Sequence, residues 1–233
     1  MVYTTTRILK DHFPSAVFKV FSWDPEYDVF GFNQDDIPCE FIHHRFQINE
    51  FSPRNRFWLF LAGALKIRTE KILYVPQYFY DAIDWSDLIV VSGGDILGDY
   101  GEAAVKHYFF PVAVGSALGK PVYIFAQSIS RHHDSKLRSF CKHHLNKVAL
   151  ITVREQVSYN YMKELKVKAP VYQTADPAFT LQPCSTERRD EIAENEGLPK
   201  DPKLLIGFSV SRTVTRWGGG KHDTFARETA KAM

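Results

Sequence analysis

The chain has 233 residues, more than one typical domain of about 100–200 residues and short of two. Lys and Arg total 29 against 27 Asp and Glu, and the resulting net charge of +2 excludes the broad positive field of a nucleic-acid or anionic-membrane binder. With 45 % hydrophobic and 24 % charged residues, a disordered chain is excluded as well.

The N-terminal 13 residues contain no apolar signal core, and the longest strongly apolar run, 57–65, is far shorter than the ~20 residues a membrane helix needs. A cytoplasmic protein without a membrane span is therefore expected. Cys39, Cys141 and Cys184 are widely spaced with no CxxC, so reduced thiols are expected, with neither a disulfide framework nor a metal.

In chain order, 5–13 predicts a helix and 16–21 (AVFKVF) a strand. Residues 24–50, rich in Asp, Asn, Pro and aromatics, predict a long irregular excursion. A helix is expected over 56–66, with Pro76 breaking or kinking the next segment. Residues 87–91 (DLIVV) form a strand ending in Ser92-Gly93-Gly94. A helix over 102–118 comes next, closed by Gly119 and Pro121. The alternation repeats: strand 122–126 (VYIFA), helix 135–146, strand 148–153, helix 156–165, strand 171–173.

DLIVV and VYIFA lack polar alternation, which predicts strands covered on both faces of a parallel sheet. Strands separated by helical stretches of about 10–15 residues indicate βαβ units. The expected fold is α/β, a doubly wound Rossmann-like domain over 1–182. Composition then breaks. Residues 183–203 predict a Pro-rich linker with one charged helix, capped by Ser185 and stopped by Gly197. Residues 204–210 (LLIGFSV), a Gly-rich turn at 217–220 and a last helix from 222 predict the opening strand–helix unit of a second domain. Such a unit cannot form a core alone, so the chain is expected to be incomplete.

In open α/β sheets ligands bind beyond the carboxyl ends of the strands, and four such ends carry suggestive residues. After the DLIVV strand come Ser92, Gly93, Gly94, Asp95 and Asp99. Glycines allow close backbone approach, and a pair of carboxylates suits sugar hydroxyls or helix capping better than phosphate. After VYIFA come Gln127 and Ser128, either hydroxyl readers or members of a capped turn. Arg154 ends the next strand and opens a helix. It offers a planar bidentate donor for a carboxylate or phosphate, unless it pairs with Glu155 or the Asp99 region. Asp176, held extended before Pro177, is either a ligand contact or an Asx turn.

The adjacent histidines His43-His44, His132-His133 and His143-His144 do not share a face, which is poor metal spacing. They are expected at the surface, with His132 or His133 facing phosphate as the minority case. Phe57, Trp58, Phe60, Tyr78, Phe79 and Tyr80 are expected to pack rather than to form a stacking platform.

The ordered set DLIVVSGGDILGDYG, LGKPVYIFAQSI, ITVREQVS, TADPAFTL and IGFSVSR, spanning about 85–212, resembles the polysaccharide pyruvyl transferase family. The resemblance implies two facing Rossmann-like domains in a GT-B-like arrangement. It also implies transfer of an enolpyruvyl-derived group from phosphoenolpyruvate to a sugar of a cell-envelope polysaccharide or glycan precursor. The donor is a substrate, and no cofactor is implied. A lipid-linked acceptor implies peripheral membrane association.

By position, Arg154 and then Arg212 match donor-binding arginines. The loops bearing Ser92, Gly93, Gly94, Asp95, Asp99, Gln127, Ser128 and Asp176 line the acceptor side. Two departures stand out: Ser130 follows QSI where family members commonly carry Gly, and the family's basic Arg/His motif for donor binding and acid catalysis does not occur before Met233. The catalytic acid is thus unassigned, and the fragment is expected to be inactive alone. The alternatives are a GT-B glycosyltransferase using a nucleotide-sugar, and a non-catalytic sugar- or anion-binding module.

Overall fold

The structure is a computed structural model that describes residues 2–32, 37–44 and 76–199, together with Gly207 and residues 227, 228, 230 and 231. By contact density the chain divides into two units, Met1–Leu181 and Gln182–Met233.

The first unit is mixed α/β with parallel sheets. Helix α1 (Val2–His12) leads into β1 (Phe18–Ser22), α2 (Pro25–Phe32) and β2 (Cys39–His43). Strands β1 and β2 pair in parallel, Phe18 opposite Cys39 and Ser22 opposite His43. The expected irregular excursion over 24–50 therefore contains a helix and a strand. Asp24 caps α2 by accepting the Tyr27 N–H at 3.2 Å, and Pro25 opens it where a missing N–H costs nothing.

Helix α3 (Gln77–Trp85) begins directly after Pro76. Pro76 occupies the N-cap position, so it begins this helix and does not kink it. The helix expected over 56–66, with Phe57, Trp58 and Phe60, lies outside the described residues. Phe79 and Tyr80 are buried, as packing residues should be.

The main sheet is formed by β3 (Ile89–Gly94), β4 (Val122–Gln127), β5 (Leu150–Val153) and β6 (Val171–Gln173), all parallel and in chain order. The reversal of order that a doubly wound sheet requires is not among these described strands. Crossovers α4 (Glu102–Ala117), α5 (Ser135–Leu145) and α6 (Gln156–Glu164) connect them. Right-handed crossovers between strands in chain order bring their helices to the same face. That face carries Ile89, Val91, Val122, Ile124, Ile151 and Val153, all in the buried core with Val105, Phe109, Leu145 and Met162 of the helices. Gly115 of α4 lies so close that a Cβ there would meet Ile89 Cδ1 and come within 3.2 Å of Val122 Cγ2.

Among the described residues the opposite face is only partly covered. Thr5 of α1 meets Ser92 there, Oγ1 to Oγ at 2.8 Å, but Tyr123 and Tyr172 are 37 % and 59 % exposed. The apolar strand runs predicted cover on both faces, and among the described residues the second cover is incomplete. The amphipathic ring and hydroxyl of Tyr tolerate a wet face in a way Val or Ile would not.

In the second unit, α7 (Thr186–Asn195) is capped by Ser185, whose Oγ accepts the Arg188 N–H at 3.2 Å, and ends before Gly197 at φ 67°. None of its residues is buried. The expected strand over 204–210, apart from Gly207, lies outside the described residues. So do the Gly-rich turn, Arg212 and most of the last helix. Among the described residues no helix is long and apolar enough to cross a membrane.

One histidine of each adjacent pair is buried. His44, His132 and His144 are at most 7 % exposed, while His43, His133 and His143 face solvent. Adjacent residues indeed fall on opposite faces, so a surface position holds for only half of them.

Candidate functional site

The four predicted strand ends converge at the carboxyl edge of the main sheet. The convergence depends on two backbone irregularities. Gly94 turns β3 outward at φ 110°, in the region that favours glycine, and its carbonyl accepts the Ser128 N–H at 2.7 Å. Ala126 sits at φ 49° in a bulge where the β4–β5 register shifts. Its N–H leaves the ladder and is taken by Thr152 Oγ1 at 2.7 Å. The bulge re-aims the end of β4, so that Gln127 pairs with Gly94 on one side and Val153 on the other.

Gln127 is fully buried. Its Nε2 donates to the Ser92 carbonyl at 2.6 Å, and among the described residues its Oε1 has no partner.

Arg154 leaves β5 at the middle of this edge. Its Nε donates to Ser128 Oγ at 2.7 Å and its Nη1 to Asp176 Oδ2 at 2.5 Å, with Glu155 Oε2 3.7 Å from Nε. Its backbone N–H reaches the Gln127 carbonyl at 3.3 Å. The ion pair is half-buried, 26 % and 22 % exposed at the two side chains. Both sequence alternatives for Arg154 are thus partly realised: it is paired with Glu155, but its main partner is Asp176 and not the Asp99 region. Among the described residues Nη2 has no hydrogen-bond partner.

Ser128 is the hub of this arrangement, donating its own proton to Glu155 Oε2 at 2.8 Å while accepting from Arg154. Glu155 in turn receives the Ser158 hydroxyl. Sequence reasoning named Glu155 only as an ion-pair partner and missed Ser158. Its place one turn into α6 after the Arg-Glu pair is the signal that could have found it, since Glu155 and Ser158 are three apart on one helix face.

Asp176 does two things at once. Its Oδ1 caps the 3-10 turn Pro177–Thr180 by accepting the Ala178 N–H at 2.8 Å, and its Oδ2 receives Arg154. The Ala178 N–H and then Arg154 hold its carboxyl below the ordinary range. The Asx turn that the sequence offered is present, and the same carboxylate also pairs with Arg154.

Asp99 approaches from the β3 side. Its N–H donates to Ser130 Oγ at 2.8 Å, and its Oδ2 accepts the His133 N–H at 2.9 Å. Asp95 instead makes a local bond with the Tyr100 hydroxyl. Gly93 lies within β3, one residue before the turn. Ser92, Gly94, Gln127, Ser128, Arg154 and Asp176 are therefore joined in one hydrogen-bonded chain, with Asp99 at its flank. Arg212 lies outside the described residues. No three His, Cys, Asp or Glu side chains converge as a metal-ligand set among the described residues.

The charge balance of this edge is specific. One guanidinium faces Asp176 and Glu155, with Asp95 and Asp99 on the loop beyond. Hydroxyls, carboxylates and an amide dominate, which is chemistry for binding polyols; a multiply charged anion placed here needs further cations.

The family model for polysaccharide pyruvyl transferase matches residues 1–218. No curated protein and no solved structure matches the chain.

Proposed function

The chain belongs to the polysaccharide pyruvyl transferase family, and from that premise we propose that it forms a pyruvate ketal on a sugar of a cell-envelope polysaccharide or glycan precursor, with phosphoenolpyruvate as donor. In that reaction C2 of the donor gains two C–O bonds from sugar hydroxyls and loses phosphate. The methylene takes up one proton to become a methyl group, and the second hydroxyl proton leaves with the phosphate. A general acid must protonate the methylene.

The observation that carries the assignment of this edge is the Arg154 guanidinium, held at the end of β5 by Ser128 and Asp176, with Nη2 unpartnered among the described residues. A planar donor fixed on two sides is pre-organised for a carboxylate such as that of the donor. Ser92, Gly94, Asp99, Ser128 and Asp176 supply acceptors and donors suited to sugar hydroxyls, while Gln127, fully buried, serves by holding the Ser92 carbonyl in place. Because Asp176 and Glu155 already offset the Arg154 charge, the donor phosphate needs additional cations, and Arg212 is the second donor-side residue in this reading.

Titration calorimetry of the full chain with phosphoenolpyruvate tests it. Arg154→Ala should weaken binding at least about tenfold, 1.4 kcal/mol, with Arg154→Lys intermediate. Unchanged affinity removes Arg154 from the donor site. Competition by nucleotide-sugars, with no effect of phosphoenolpyruvate, favours a glycosyltransferase instead. The compensated charge supports one further reading, a saccharide-binding module without transfer. Saccharide binding with no ketal product in the presence of donor would establish that reading.

A further inference from the structure

Beneath the Asp99 flank of the site lies a buried polar network that ketal formation at this edge leaves unused. His132 is completely buried. Its Nδ1 lies 3.0 Å from the Tyr161 hydroxyl and its Nε2 3.4 Å from Cys141 Sγ. The Tyr161 oxygen also accepts the backbone N–H of His132 at 3.1 Å. Both ring nitrogens therefore have a polar neighbour, whichever of them carries the proton. Burial lowers the basicity of the imidazole, opposed by the Asp99 carboxylate and the Leu97 carbonyl, and pushes the Cys141 thiol up to about 12. The network is therefore neutral near pH 7, and each His132 nitrogen has a partner on a different helix, Tyr161 on α6 and Cys141 on α5.

Two residues flanking His132 hold Asp99. Ser130 Oγ accepts the Asp99 N–H, and the His133 N–H donates to Asp99 Oδ2. A Cβ at Gly98 would lie 2.7 Å from Ser130 Oγ, so the two loops touch with little slack. Ile129, the next residue back, is tied to α6 through its N–H to Ser158 Oγ at 2.7 Å. Segment 129–133 is thus pinned from below and grips Asp99 from above. The Ser130 hydroxyl is one half of that grip.

We propose that His132 is a positioning residue: locked between Tyr161 and Cys141, it fixes segment 130–133 and so places Asp99 against the saccharide acceptor. The proposal rests on the acceptor-side role of Asp99. A side chain whose neighbours fix both the amide and the carboxylate of a ligand-facing residue acts through geometry, without touching the substrate.

The test uses the full chain and three variants. Tyr161→Phe removes one oxygen, His132→Leu removes both ring contacts, and His132→Asn keeps a polar atom near the Nδ1 position. Amide hydrogen exchange over 97–101 and 130–133 should quicken at least about tenfold in Tyr161→Phe and His132→Leu, with β4 and β5 unchanged. Acceptor KM should rise at least about fivefold while phosphoenolpyruvate affinity stays within about twofold, and His132→Asn should restore most of the loss. If His132→Leu does not fold, Tyr161→Phe decides alone. Unchanged exchange at 97–101 in Tyr161→Phe overturns the proposal, and so does faster exchange with unchanged acceptor KM. Asp99→Asn separates the two readings. If it leaves acceptor KM unaltered, the acceptor role of Asp99 fails, and exchange alone then decides whether His132 orders that loop.

Discussion

Arg154 Nη1 lies 2.5 Å from Asp176 Oδ2 and joins the end of β5 to the turn after β6. The pair closes the carboxyl edge of the sheet at its final strand, where β6 is only three residues long and has little ladder of its own. It has a pH signature. The Asp176 carboxyl titrates below its ordinary 3.8 in the folded state because the Ala178 N–H and Arg154 favour its charged form. As pH falls, the unfolded chain binds that proton first, so the stabilisation is complete above the unfolded value and disappears as pH drops through the folded one. Urea denaturation of the wild type and Asp176→Asn should show a stability gap that is constant above about pH 4 and closes below it. A gap that is the same at about pH 3 as at pH 6 would contradict the pairing.

Gly94→Ala isolates the backbone requirement at the end of β3. A Cβ there meets no atom within 4 Å, so the whole cost comes from φ 110°. The expected loss is about 1–3 kcal/mol in urea denaturation. Because the Gly94 carbonyl anchors the Ser128 N–H, saccharide affinity should fall in parallel. Unchanged stability would mean that the turn adopts another conformation.

Gln127→Leu has a smaller expected effect than its complete burial suggests. It deprives the Ser92 carbonyl of the Nε2 donor, but it also removes Oε1, which has no partner among the described residues. The two effects oppose each other, so the stability measured by denaturation should change by about 1 kcal/mol or less, against the ~1–3 of breaking a fully satisfied buried bond. A larger loss would show that Oε1 has a hydrogen-bonding partner in solution.

His44 and His107 form a second buried imidazole pair, Nδ1 to Nε2 at 3.0 Å, at the carboxyl end of β2. Burial, and then the neighbouring His107, lower the His44 pKa from 6.5 to about 4. Between those values the unfolded chain holds a proton that the folded chain does not, so stability falls as pH falls through that window. The drop is at most about 3 kcal/mol for this group. His44→Gln should flatten the slope between about pH 4 and 6.5. A slope that persists unchanged in this variant would assign it to another group.

The elements from β3 onward were legible because each carries its own local physics, whereas α3 (Gln77–Trp85) was not predicted. DLIVV, VYIFA and LITV are too apolar for solvent, and Gly119 and Ser185 mark helix ends by backbone conformation or capping. The α2–β2 segment was missed because its composition resembles a loop. The signal was Asp24-Pro25, a cap followed by a first-turn proline, which compositional reading averages away. The histidine pairs show the same limit: alternation told that the two members differ, and only packing chose which one is buried.

At the site, residue types and strand ends were enough to nominate Ser92, Gln127, Ser128, Arg154 and Asp176, because open parallel sheets expose their carboxyl ends and short-range sequence marks those ends. Which of them touch was decided by tertiary structure. The bulge at Ala126, the partner of Arg154 and the grip of Ser130 and His133 on Asp99 all bring together residues 22 to 34 positions apart or depend on such contacts. Near-neutral net charge excluded a general positive field from the start. The folded arrangement determined how local the positive charge at this edge is: among the described residues it is Arg154, half-buried and balanced by Asp176 and Glu155. Sequence determines which side chains stand at the edge of the sheet, because periodicity and capping act within a few residues. Their pairing is decided by the fold, because hydrogen bonds and ion pairs act through space.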